Sequence, residues 1–93
     1  MKQLFMIRRV VGASMLPHFR PGRIVLGWRP RRVRPGDVVI LLHEGLEKIK
    51  RVDRIEGDKL YVVGDNATVS TDSRQFGWLP MTSVKARVVW PRA

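Results

Sequence analysis

The chain contains no cysteine, so a disulfide framework, a thiolate nucleophile and thiolate metal ligands are all excluded. Histidine is nearly as scarce. His18 and His43 are the only two, too few for a typical zinc site without a crowd of carboxylates, and neither a metal nor a cofactor is expected. Several local signatures are also missing. There is no G-x-x-x-x-G-K-[ST] phosphate loop and no H-E-x-x-H, and a G-x-S-x-G elbow fails because the residue two after Ser14 is Leu16. Long apolar runs are absent too: the longest uncharged one, Val38 to His43 (VVILLH), falls far short of the ~20 residues that cross a bilayer as a helix. The opening MKQLFMIRRVV is interrupted by Arg8 and Arg9 and is too short for a secretory core. The expectation is a soluble, cytoplasmic chain without a transmembrane anchor.

Acidic residues are in short supply as well. Eight Asp and Glu face eighteen Lys and Arg, giving a net charge of +10 over 93 residues. Such a balance suits anionic partners. The densest basic run, RPRRVRPG from Arg29 to Gly36, reads first as a solvated loop that Pro30 and Pro35 keep extended. A nucleic-acid or anionic-surface binding module is the alternative from another class. However, the run lacks the interleaved aromatics on which single-stranded bases stack, so no nucleic-acid partner is expected. Peripheral contact with an anionic membrane is compatible with the charge.

What remains is a chain of short apolar runs punctuated by eight glycines and six prolines, the pattern of an all-β domain. Candidate strands are Leu4 to Val11, Arg23 to Trp28, Asp37 to His43, Leu46 to Ile55, Lys59 to Val63 and Val84 to Trp90. HEGL and IEGDK read as hairpin connections. No stretch sustains helical periodicity, and at most a single turn follows Ser14 or surrounds Ser73. One domain, 1–93, is the simplest reading. Trp28, Trp78 and Trp90 are expected in core or rim packing.

Three segments can carry chemistry. In GASMLPHFRPG, Ser14 follows an apolar strand and precedes a turn. A serine hydroxyl needs a neighbouring base, and a lysine serves if it is neutral. An ordinary lysine titrates near ~10.4, so neutrality requires an apolar wall and other positive charges nearby. LEKIKRVDRI offers Lys48 and Lys50, which share one face of an extended strand while Ile49 faces the other way; alternation leaves the two lysines as rivals. His18 and His43 read as surface and strand-end residues. In VVGDNATVSTDSRQFGWLP, GDN reads as a turn, Asp72 and Arg74 as a loop-fixing ion pair, and Ser70 and Ser73 as turn serines.

Taken in order, GASMLP, KIKRVDRIEGD and GDNATVSTDSRQFGWLP resemble the bacterial type I signal peptidases, a family of Ser/Lys proteases. LexA-type autoproteases share the S-M-x-P and lysine elements but resemble the third segment less. The resemblance implies a coiled β-sheet fold and a serine endopeptidase. By matched position Ser14 is the nucleophile and Lys50 the general base, Lys50 being the lysine followed by Arg51 and Val52. Ser70 then orients the amine, Asp72 and Arg74 form a supporting ion pair, and Gly64 lets the lysine chain pass. The implied partner is a precursor protein bound as an extended strand, with Gly12, Ala13, Met15 and Ile49 as substrate contacts and small side chains at P1 and P3. Two positions depart from the pattern: Gly12 stands where many relatives have a serine that donates to the oxyanion, and His18 stands where a threonine is usual. The small size, without an anchor, together with STDSRQFG is similar to the proteases that mature nickel-type superoxide dismutase by trimming a short N-terminal propeptide.

Overall fold

A computed structural model describes residues 4–29 and 32–92; Pro30 and Arg31 of the basic run, and the ends of the expected 1–93 domain, lie outside them. The short apolar runs form strands β1 (Phe5–Arg9), β2 (Ile24–Trp28), β3 (Val38–His43), β4 (Leu46–Glu56) and β5 (Lys59–Val63). A one-turn helix α1 (Ser73–Phe76), a two-residue strand β6 (Leu79–Pro80) and strand β7 (Val84–Trp90) follow. All seven strands belong to one antiparallel sheet in the order β1-β2-β7-β3-β4-β5-β6. The all-β expectation holds, and the six expected strands recur, two with the expected ends and the others with ends shifted by at most two residues. Strand β6 was not foreseen, because two residues are too few to leave a period.

Local chemistry sets the connections. β3 and β4 are joined through Glu44 and Gly45, both at positive φ (50° and 77°), and His43 pairs with Leu46 across the turn. Two central residues at positive φ match the right-handed twist of the flanking strands. Gly57, at φ 58°, opens the next turn, where Glu56 pairs with Lys59.

The curled sheet has apolar groups on both sides. VVIL of β3 is wholly buried, and alternate residues of a strand face opposite ways. Val39 and Leu41 join Val52, Leu60, Val62 and Leu79 on one side. Val38 joins Val10, Met15, Phe19 and Val25 on the other. The aromatic in the deep core is Phe19, 1% exposed; the tryptophans take the rim. Trp28 packs on Phe5 and Trp78 meets the edge of Tyr61, whereas Trp90 is 53% exposed beneath Arg23.

Among the described residues, curling also leaves two strand edges without partners. There β1 pairs with β2 alone. The first half of β4, residues 46–50, pairs with β3, but pairing with β5 begins only at Arg51. Unpaired edges of this kind are templates for another strand.

Candidate active site

These two edges line one cavity of about 500 Å³. Residues 8–11 form one wall and residues 47–50 the other, with Ser14, Met15 and Thr71 between them. Arg8 reaches across to the Glu47 carboxylate, which Lys85 Nζ also approaches at 3.1 Å.

The turn carrying Ser14 is pinned from below and from the side. Met15 and Phe19 are each 1% exposed in the core, and Phe19 N donates to Met15 O at 2.9 Å. From the side, Asn66 N donates to Ser14 O at 2.7 Å, and Asn66 Nδ2 donates to Ala13 O at 3.2 Å. Gly64 makes this approach feasible. A Cβ there would lie 2.6 Å from Ser70 Cβ and 2.8 Å from Ser14 O, closer than atoms pack. The glycine thus serves close approach of the loop to the serine turn.

Lys50 and Lys48 are separated by burial. Lys50 is 5% exposed, paired across the sheet with core residue Val39 and next on its face to Val52. Lys48 is half-buried, with its amine over the Phe76 ring. Lys50 Nζ donates to Ser70 Oγ at 2.9 Å, and Ser70 Oγ donates to Asp72 Oδ2 at 2.5 Å. Burial pushes the Lys50 amine below its ordinary value; the Asp72 carboxylate opposes this, while Lys48 and Arg74 reinforce it. Among the described residues Ser70 is the one hydrogen-bonding partner of the amine.

Asp72 organises the rest of the loop. Its side chain is fully buried and accepts from Ser70, from Gly64 N at 2.8 Å, and from the backbone and guanidinium of Arg74. It also caps α1, with Gln75 Oε1 accepting from Asp72 N at 2.8 Å in a reciprocal capping box. Burial alone would raise its carboxyl; the hydrogen bonds from Arg74, Ser70 and Gly64 outweigh that and hold it far below the ordinary range. Ser73, buried beside it, accepts from Val62 N at 2.8 Å and so satisfies the end of β5.

The structure therefore brings Ser14, Lys50, Gly64, Ser70, Asp72 and Arg74 into one contiguous arrangement. Of the expected substrate contacts, Ile49 and Met15 line the cavity, although the Met15 side chain is core; Gly12 and Ala13 are not among its lining residues. Sequence reasoning passed over Asp65 and Asn66, read only as a turn, and Arg51, used only as a marker. Arg51 Nε and Nη2 each donate to Asp65 at 2.8 Å, and His18 Nδ1 lies 2.7 Å from Asp65 Oδ2. Among the described residues no group of three or more His, Cys, Asp or Glu converges as metal ligands would.

An antiparallel all-β domain presenting a serine and a buried lysine to one strand-edged cavity has the architecture of a serine-type peptidase. The chain belongs to the Peptidase S24-like family, whose model matches residues 2–81. It is also similar to mitochondrial inner membrane protease subunit 1 of Schizosaccharomyces pombe, with 32% identity over 118 aligned positions that span 95% of this chain and 75% of that protein. Signal-peptidase-like recognition from the three segments thus stands. Among the described residues no helix is long and apolar enough to cross a membrane.

The depressed Asp72 carboxyl gives a stability prediction. A carboxyl held below its unfolded value of 3.8 contributes stability that is complete above that pH and is lost as pH falls. Asp72→Asn should therefore lower stability at neutral pH and shrink the difference from wild type on acidification. Urea melts at pH 7 and pH 3 check this; an equal gap at both would mean that the carboxylate charge contributes nothing.

Proposed function

We propose that this protein is a serine endopeptidase in which Ser14 and Lys50 form a catalytic dyad that removes a signal peptide or short N-terminal propeptide from a precursor protein. The observation that most supports it is the Lys50 amine. It is 5% exposed, aimed by Ser70, and opens on the cavity that Ser14 also lines.

In this reading the precursor enters as an extended strand between the unpaired edges of β1 and β4 and completes their main-chain hydrogen bonds. Ser14 Oγ attacks the scissile carbonyl while Lys50 Nζ takes its proton. Lys50 then returns that proton to the leaving amine as the peptide bond breaks. A water gives up a proton to Lys50 and attacks the acyl-enzyme; as the ester bond to Ser14 Oγ breaks, Lys50 passes that proton to Ser14 Oγ, restoring both groups. The Ser14 backbone N–H is the assigned oxyanion donor, a role worth a few kcal/mol in other hydrolases. With Gly12 in place of a hydroxyl-bearing residue, any second donor is backbone or water. Small P1 and P3 side chains fit this mode, and the precursor of a nickel-type superoxide dismutase is the substrate that STDSRQFG favours.

The chemistry fixes a pH dependence. Lys50 acts only as the neutral amine, and its value lies below 10.5. Cleavage should rise with pH as the amine loses its proton and level off before an ordinary lysine would titrate. Ser14→Ala and Lys50→Met should each cut turnover by at least ~100-fold, the lower bound for loss of general-base help. N-terminal sequencing of precursors after incubation with each form reads this directly. Full activity in Lys50→Met would place the base elsewhere.

The outward face of β1, β2 and β7 bears on the partner. Phe5, Ile7, Ile24 and Trp90 are 52%, 66%, 39% and 53% exposed there, beside half-buried Leu26 and Trp28, with Arg9 on the same face and Arg23 over Trp90. Exposed apolar tips among arginines suit an anionic bilayer, whose headgroups answer the charge and whose interface takes the aromatics. A second copy of a +10 chain would set arginine against arginine. Co-sedimentation with phosphatidylserine-containing vesicles, absent with neutral vesicles and lost in Ile7→Glu and Trp90→Glu, is the expected result. Equal binding by both variants, or salt-sensitive DNA binding in its place, would give the basic charge another purpose.

A further inference from the structure

We infer that His18 is a positioning residue for Ser14: it ties the serine turn, through Asp65, to the strand that carries Lys50. This inference rests on the peptidase reading above. His18 lies four residues beyond Ser14 in the same turn and is 50% exposed at its side chain, so it adds little to the core.

Its contact is with a fixed group. Asp65 is only 9% exposed at its side chain and is gripped by both donors of the Arg51 fork at 2.8 Å. Arg51 follows Lys50 directly on β4 and donates its remaining terminal nitrogen to Gly36 O at 2.8 Å. The carboxylate that His18 meets is therefore tied to β4 through the Arg51 side chain. Next to Asp65, Asn66 holds Ser14 O and Ala13 O. The Asp65–Asn66 pair thus takes hold of the serine turn at Ala13, at Ser14 and at His18.

The charge on Asp65 fixes what His18 presents to it across this ion-pair distance. Burial would push the Asp65 carboxyl up, but Arg51 and His18 together hold it below its ordinary value, so it is ionised and only accepts. His18 Nδ1, 2.7 Å away, therefore carries the hydrogen. Without that contact, the turn keeps its buried anchors Met15 and Phe19, but the stretch after Ser14 loses one tie to β4 and the Asn66 bonds open more readily. The expected loss is alignment of the hydroxyl with the amine, to which reactions are sensitive at the level of an ångström.

Asparagine supplies the discriminating variant, because its Nδ2 stands the same number of bonds from the backbone as His Nδ1. With a synthetic peptide carrying alanine at P1 and P3, His18→Leu should lower kcat about 5- to 50-fold, leave KM within about twofold and barely change Tm. His18→Asn should recover most of kcat, and His18→Asp, facing Asp65, should be the slowest. Equal kcat in wild type and His18→Leu, or no recovery with His18→Asn, would overturn the assignment. A second readout needs no turnover. Amide exchange at Asn66, whose N–H is bound by Ser14 O, should quicken about tenfold or more in His18→Leu and return toward wild type in His18→Asn; unchanged exchange would also overturn it. Should wild type itself cleave nothing, or cleave without Ser14, the peptidase reading fails while Asn66 exchange still decides whether His18 holds the turn.

Discussion

The site depends on keeping one lysine amine out of water without surrendering it to an acid. Burial in an apolar wall disfavours the charged form and presses Lys50 toward the free amine. The nearest carboxylate, Asp72, acts in the opposite sense and would restore the charge if left unopposed. Two features limit it. Ser70 stands between them, accepting from Lys50 and donating to Asp72, so the amine meets a hydroxyl rather than a carboxylate. Arg74 engages both Asp72 oxygens, and its charge, with that of Lys48, weighs against a proton on Lys50. The pair of Asp72 and Arg74 is therefore electrostatic insulation as well as a loop fastener.

The fold serves this arrangement by curling. A flat seven-stranded sheet would hold β1 and β4 four places apart in the strand order; curled, their unpaired edges line one cavity. The same curvature lets the loop after β5 reach back to the serine turn, with Gly64 and Asn66 at the point of contact. Stability and chemistry thus share residues. Met15 is a core side chain adjacent to Ser14, Val52 is a core side chain on the face of Lys50, and Asp72 caps a helix while it orders the hydroxyl that aims the amine.

Much of this was legible in the chain because the signals are local. Gly- and Pro-bounded apolar runs gave the strands, and HEGL and IEGDK gave two hairpins. The resemblance carried by the three ordered segments pointed to Ser14, Lys50, Ser70, Asp72 and Arg74, which the fold brings near one another. Alternation along β4 could not separate Lys50 from Lys48, since both lie on one face; that difference is tertiary, set by Val39 beneath one and Phe76 beneath the other. The ties from Asp65 to Arg51 and His18 were hidden for a similar reason. G-D-N is an ordinary turn in sequence, and only the returning loop makes its side chains bridge segments far apart in the chain. The tryptophans sit at the rim against Phe5, Tyr61 and Arg23, while Phe19 is the aromatic buried in the core.

The central claim is that Lys50 is held as an amine more easily deprotonated than an ordinary lysine. Carbon-13 NMR titration of the lysine side chains, with Lys50→Met used to assign the Lys50 signal, tests it most directly. This one resonance should titrate below 10.5. A Lys50 midpoint at or above that value would contradict it.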